Sequence, residues 1–143
     1  MTFDDGPHPD LTPKLLDILK ARRIRATFYV IGQNVARYPE IVKRMVGEGH
    51  ELGNHTWSHP YLTKRSKKSV LRELDRTSDA IYKAVRKVPV TMRPPYGALY
   101  TSQRRYIHAE RQMPTSLWSV DPQDWRRPGA SVVTKRIVSH ARA

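Results

Sequence analysis

Short apolar runs of the kind that form buried strands alternate along this chain with longer segments whose apolar residues recur every three or four positions. The stub Met1-Thr2-Phe3 reads as a first strand and ends in the turn sequence Asp5-Gly6-Pro7. Thr12 caps a helix with Pro13 at its first position and Leu15, Leu16 and Leu19 as its buried stripe. Ala26 to Ile31 is apolar apart from Thr27, as a strand buried on both faces should be. Pro39 opens a second helix with Ile41, Val42, Met45 and Val46 on one face, and Gly49 closes it in the C′ position. A short strand around Glu51 to Gly53 follows. The spacing of Val70, Leu71, Leu74, Ile81 and Val85 predicts the longest helix, over Ser66 to Arg86. Val90-Thr91-Met92 reads as a fourth strand, ended by Pro94 and Pro95. A helix over Ser102 to Gln112, a strand over Thr115 to Val120 and a helix over Ser131 to Ala141 complete five strand-then-helix units. That alternation predicts an α/β fold with a largely parallel sheet.

Composition narrows the chemistry. The 143 residues include no cysteine, which excludes a disulfide scaffold and a cysteine-ligated metal. The longest apolar run is far short of the roughly 20 residues of a membrane helix. No repeat or linker divides the chain, and its first residues have neither the basic nor the apolar region of a secretory signal. One domain over residues 1–143 is expected. Lys and Arg number 26 against 13 Asp and Glu, a net charge of +13 that raises nucleic acid or another polyanion as a partner. The basic residues are spread along the whole length, however, with a single dense run at Lys64-Arg65-Ser66-Lys67-Lys68. Dispersal favours a solvated basic surface, and no nucleic acid is expected.

In folds of this class the ligand lies beyond the carboxyl ends of the strands. Asp4 and Asp5 follow strand one, His55 and His59 strand three, Arg93 to Gly97 strand four, and Asp121, Asp124 and Trp125 strand five. Four loops on one rim therefore carry the chemistry-bearing residues. Two imidazoles four apart can converge on one ion; neutral imidazole suits Zn²⁺, and a carboxylate would complete a three-ligand site open to water. Taken singly, each segment has a plainer reading. The histidines can pack around Trp57 and Pro60, Asp-Asp-Gly-Pro is an ordinary turn, Arg93 can be a surface charge and Asp121 a loop cap.

Taken together, the segments resemble the motifs of the polysaccharide deacetylase family, the NodB-homology domains of carbohydrate esterase family four. Thr2-Phe3-Asp4-Asp5-Gly6-Pro7 resembles the first motif, His55-Thr56-Trp57-Ser58-His59 the second, Arg93-Pro94-Pro95-Tyr96-Gly97 the third and Asp121-Pro122-Gln123-Asp124-Trp125 the fourth, in family order. The resemblance implies a distorted, here incomplete, (β/α) barrel. It also implies a metal-dependent hydrolase that removes acetyl groups from N-acetylglucosamine polysaccharides such as chitin or peptidoglycan, with acetylated xylan as the alternative. Asp5, His55 and His59 would bind a divalent metal, Zn²⁺ first, with Co²⁺ or another ion as alternatives. A bound Zn²⁺ acidifies its water and polarises the acetyl carbonyl, while Asp4 would be the general base. Arg93 would orient Asp4 and keep it ionised, and the Tyr96 backbone N–H would stabilise the oxyanion. Asp121 and Asp124 would join the catalytic set, and Pro95, Trp125 and, less distinctly from core packing, Trp57 would wall the substrate. The implied partner is an oligosaccharide or polysaccharide, and the implied location is outside the membrane or at the cell wall.

Two departures from the family pattern shape the expectation. The first strand normally extends upstream of the first motif, and the late Leu-x-His motif that supplies a general acid has no clear counterpart. His140 lies 15 residues after Trp125, whereas a parallel crossover alone takes about a dozen or more before the next strand begins. Val133 and Ile137 at i, i+4 place His140 on a helix instead. The expectation is a chain truncated at both ends, since a full barrel takes about 250 residues. It should bind metal but hydrolyse poorly, with a non-catalytic carbohydrate-binding fragment as the alternative.

Overall fold

In the computed structural model, residues 1–141 are described. Three parallel strands lie side by side in chain order: β1 (Thr2–Asp4), β2 (Thr27–Val30) and β3 (Glu51–Asn54). Phe3 is level with Phe28 and Phe28 with Leu52, so the carboxyl ends of all three strands share one edge. Parallel bridges from Asn54 to Met92 and from Met92 to Thr115 continue the order to a fourth and a fifth position. Each of those strands is reduced to a single bridging residue. Pro89, Pro94, Pro95 and Pro114 crowd these segments and have no N–H for a ladder.

Among the described residues six α-helices accompany the sheet: α1 (Leu11–Ala21), α2 (Gly32–Arg37), α3 (Pro39–Gly47), α4 (Lys67–Val85), α5 (Thr101–Arg111) and α6 (Ala130–His140). α1 begins one residue before Thr12, with Asp10 as its N-cap. The Thr12 hydroxyl is buried and accepts the His8 N–H at 2.8 Å, so it ties down the preceding loop instead of capping the helix. α2 was not visible as a period, because Val35 is its only buried side chain apart from Gly32. Pro39 does open α3, and Gly49 follows it in a left-handed conformation at φ 85°. α4 starts at the N-cap Ser66, whose hydroxyl accepts from the Ser69 N–H, and ends at left-handed Arg86.

The core has two parts. Leu16, Phe28, Val30, Val42, Met45 and Ile81 pack α1, α3 and α4 onto the sheet. Leu62, Val70, Leu74, Met92, Ile107 and Met113 fill the space between α4, α5 and the fourth strand position. Each such side chain contributes about 1.5–3 kcal/mol by leaving water. α6 buries none of its residues.

At the amino end of β3, away from the edge that carries the candidate chemistry, His50 is buried against Phe28, with ring centroids 5.3 Å apart. Its Nδ1 accepts the Ala26 N–H at 3.1 Å, and no group pairs with Nε2 among the described residues. Burial lowers the pKa of His50 below its ordinary value of 6.5, with Glu48 opposing. The unfolded chain therefore takes up this proton first as pH falls. The stability held by neutral His50 is complete above about pH 6.5 and is lost as pH drops through the lower folded-state value. Urea unfolding between pH 7.5 and 5 should show falling stability in the parent chain and a shallower slope in His50→Asn. Superimposable slopes would rule out His50 as a source.

Candidate metal centre

β1 ends in Asp4, and the chain turns immediately through Asp5, which has φ 69°. Asn34 on α2 steadies this turn by donating from Nδ2 to the Asp5 carbonyl at 3.0 Å. β3 ends in fully buried Asn54. The Asn54 amide donates to the Leu74 carbonyl at 2.8 Å and to Ser78 Oγ at 3.1 Å on α4, while its Oδ1 accepts the Thr56 N–H at 2.9 Å. This one side chain thus fastens the loop of both histidines to the longest helix. Within the loop Thr56 and His59 are left-handed, at φ 67° and 57°, and the His59 N–H reaches Thr56 Oγ1 at 3.2 Å. Non-glycine residues in that conformation cost on the order of 1 kcal/mol or more and persist only where surrounding contacts hold them.

His55 is almost fully buried, and its Nδ1 lies 2.7 Å from the Arg93 carbonyl. A carbonyl can only accept, so Nδ1 carries the proton and Nε2 faces the centre as a lone pair. Asp5 Oδ1 lies 3.3 Å from His55 Nε2 and 3.2 Å from His59 Nε2. The three ligand atoms all lie within 4.8 Å of one another. Two imidazole nitrogens and one carboxylate oxygen, one imidazole braced by a backbone carbonyl, form a donor set that fits a zinc-like divalent cation. The hydrogen bond with His55 is the largest influence holding the Asp5 carboxyl below its ordinary range, with burial opposing. Burial pushes the His59 imidazole down as well.

Asp4 is held apart from this triad by Arg93. One guanidinium nitrogen, Nη1, donates to Asp4 Oδ1 at 2.7 Å and to Thr2 Oγ1 at 2.8 Å. Nε and Nη2 donate to the carbonyls of Ser116 and Leu117 at 3.4 and 3.2 Å. The group lies 4.1 Å from the centroid of the Tyr29 ring, and Arg93 is only 2% exposed, so it is no surface charge. Tyr29 occupies space that any Cβ at Gly53 on the next strand would take. Burial raises the pKa of the Asp4 carboxyl above its ordinary value; His55 and Arg93 oppose the rise without cancelling it. Arg93 thus acts on the Asp4 carboxyl in the direction that favours its ionised form, against burial.

Pro95 is buried at the start of a tight turn over Pro95–Gly97, in which Tyr96 has φ 60°. The Tyr96 ring lies 4.7 Å from His59 and stacks on Tyr61 at 3.9 Å. Its N–H donates to no carbonyl among the described residues. Trp57 is half-buried. It covers Gly32, carries the Arg76 guanidinium 4.0 Å from its ring, and lines with Val35, Pro39 and Lys83 a separate cleft of about 610 Å³.

The fourth segment is not drawn into the centre. Asp121 is exposed and spends Oδ1 on the Gln123 N–H at 2.8 Å, as in a local turn. Asp124 is exposed, and Trp125 is 67% exposed with Arg126 over its ring. Among the described residues no hydrogen bond or ion pair joins these three to Arg93 or the triad. His140 lies on α6, bonded to its own helix through the Arg136 carbonyl at 2.8 Å. Two residues without a sequence signal of their own do reach the loop. One is Asn54, described above. The other is Glu73 on α4, whose carboxylate accepts from Trp57 and Ser58.

Residues 1–116 match the family model described as polysaccharide deacetylase, and the chain belongs to that family. It is 42% identical over 141 residues to the peptidoglycan-N-acetylglucosamine deacetylase PgdA of Listeria monocytogenes, a match covering 99% of this chain and 29% of that protein. It is 43% identical over 143 residues to a chitooligosaccharide deacetylase of a Bradyrhizobium species, covering 99% of this chain and 65% of the relative. Among solved structures, the peptidoglycan deacetylase PdaC of Bacillus subtilis superposes with a TM-score of 0.92 at 42% identity, covering 99% of this chain and 68% of that one. The α/β architecture is therefore that of the carbohydrate esterase family four deacetylases, a distorted barrel. The family-model match stops short of Asp121.

Replacing Arg93 by Met should lower the unfolding free energy by about 3 kcal/mol, because it strands a partly buried carboxylate as well as removing the cation. Urea denaturation at pH 7 measures this, and a loss below about 1 kcal/mol would contradict the role given to the guanidinium.

Proposed function

We propose that this chain carries the centre of a divalent-metal-dependent hydrolase that removes acetyl groups from N-acetylglucosamine units of peptidoglycan or chitin at the cell wall. The observation that carries the reading is the convergence of Asp5, His55 and His59 beside a second carboxylate, Asp4, tied to Arg93 instead of to the histidines. The names of the relatives in Listeria and Bradyrhizobium support N-acetylglucosamine units as substrate, and that of the Bacillus subtilis relative, a peptidoglycan-N-acetylmuramic acid deacetylase, supports peptidoglycan more broadly. No helix among the described residues is long and apolar enough to cross a membrane.

A zinc-like ion held by the triad would supply Lewis acidity toward an acetyl carbonyl and make water easier to deprotonate. The chain's own groups do the rest. Asp4, with its carboxyl raised by burial, is suited to take a proton from the attacking water. Arg93 fixes the direction of the Asp4 carboxylate through the 2.7 Å hydrogen bond. The Tyr96 N–H, uncommitted to any carbonyl of the described residues, can donate to the acetyl oxygen as it gains charge. Pro95 and the Tyr96 ring bound that position. Asp121, Asp124 and Trp125 are given no role in this proposal, since among the described residues no hydrogen bond or ion pair joins them to the centre. His140 bonds to its own helix and, among the described residues, makes no hydrogen bond or ion pair there.

Acetate release from N-acetylglucosamine oligomers with added Zn²⁺ tests the division of roles. Asp4→Asn should reduce release by about 100-fold or more while Zn²⁺ binding measured by calorimetry persists. His55→Ala should lose the binding itself. A His55→Ala chain that still binds one Zn²⁺ with the parent's affinity would remove the proposed triad from consideration.

A further inference from the structure

Whether His55 and His59 can meet on one ion depends on the shape of the three-residue turn between them, Thr56-Trp57-Ser58. The turn is bracketed by left-handed Thr56 and His59, and its backbone N–H groups need fixed acceptors. Two have been accounted for: Thr56 donates to Asn54, and His59 donates to the Thr56 hydroxyl. The other two converge on one oxygen of one side chain. Glu73 Oε2 accepts the Trp57 N–H at 2.9 Å and the Ser58 N–H at 2.8 Å, and Oε1 accepts the Ser58 hydroxyl at 3.0 Å. Hydrogen bonds to an ionised acceptor are roughly twice as strong as neutral ones.

Glu73 is itself rigidly placed. It lies in the second turn of α4, its carbonyl accepts the Thr77 hydroxyl at 2.9 Å, and the next residue, Leu74, receives the Asn54 amide through its carbonyl. The helix therefore grips the loop at two successive residues, once through Asn54 at the end of β3 and once through Glu73 at the middle of the turn. Neither Trp57 nor Ser58 is a candidate ligand, so the carboxylate acts on the backbone that joins the two ligands and not on the ligands themselves.

We propose that Glu73 is a positioning residue for the metal centre: by holding the Trp57-Ser58 backbone it sets how His55 and His59 converge on the ion, and so the affinity and geometry of binding. The proposal rests on the metal-centre reading above. A carboxylate that merely tied α4 to the loop would affect folding stability and leave the metal affinity of the folded chain where it was.

The test compares the parent chain with Glu73→Ala, Glu73→Gln and Glu73→Asp. Zn²⁺ affinity is measured by competition with a chromophoric chelator, ligand-field geometry from the visible spectrum of the Co²⁺ form, and folding from far-UV circular dichroism. Glu73→Ala should weaken Zn²⁺ binding by between about three- and a hundredfold and alter the Co²⁺ bands. Glu73→Gln should lose less, because its amide oxygen can still accept both N–H groups while its NH₂ donates to the Ser58 oxygen. Glu73→Asp keeps the charge but is one methylene too short to reach both N–H groups, and should lose affinity as well; it decides the matter if Glu73→Ala does not fold. A loss below about threefold with unchanged Co²⁺ bands in the folded Ala or Asp variant would overturn the proposal, as would equal losses in Gln and Ala. A parent chain that binds neither ion would bring down the metal-centre reading itself; unchanged binding in the variants alone brings down only the role of Glu73.

Discussion

A guanidinium taken out of water is tolerable only if its donors find acceptors, and Arg93 satisfies four of its five N–H groups by drawing distant parts of the chain to one point. Thr2 and Asp4 come from β1, the carbonyls of Ser116 and Leu117 from the segment after the last bridge, and the Tyr29 ring from β2. The same residue's own carbonyl holds His55 in the tautomer that turns Nε2 to the centre. β1 has only three residues, too few for a ladder to seat it firmly. Thr2 and Asp4 share a face of that strand, and both end on Arg93. What anchors the strand and what aims the proposed base are therefore the same interaction.

Around that anchor the backbone is held in conformations it would not choose. Asp5, Thr56, His59 and Tyr96 are all left-handed without being glycine. Their cost is met by contacts from more regular parts of the molecule: Asn34 from α2, Asn54 from the end of β3, and Tyr61 stacked beneath Tyr96. The loops at the rim are thus not loosely tethered connections. They are extensions of the helices, fixed by buried amides and hydroxyls, and this lets short strands present four side chains to one small volume.

Much of this was legible in the sequence. The apolar run of β2 and the 3.6-residue periods of α3 and α4 are strong patterns, and the structure follows them closely. α2 was missed because a helix with one buried side chain has no period to detect. The fourth and fifth strands were legible in position but not in extent, since local β character says nothing about whether neighbouring prolines leave enough N–H groups for a ladder. At the site, the Asp4-Asp5, His55-His59 and Arg93 segments could be found because each follows a strand and together they resemble a family's motifs in order. Asn54 and Glu73 could not: a glutamate amid the charged positions of a helix looks like any solvated one, and only the packing of α4 against the loop gives it three partners. The Asp121 to Trp125 segment is the reverse case: among the described residues no hydrogen bond or ion pair joins it to Arg93 or the triad. Order along the chain brought it to the list of rim loops, but nothing in that order fixed its distance from Arg93.

The close approach of Tyr29 to Gly53 carries a consequence for how this molecule can change. The phenol ring fills the place of a side chain on the neighbouring strand, and the buried cation rests against the same ring. A larger residue at position 53 would evict the ring and remove the platform under the guanidinium, although position 53 itself touches neither charge nor candidate ligand. Positions 29 and 53 are therefore free to drift only as a pair, aromatic with glycine or smaller ring with larger neighbour. Two strand residues with no chemistry of their own constrain each other's evolution on behalf of a third.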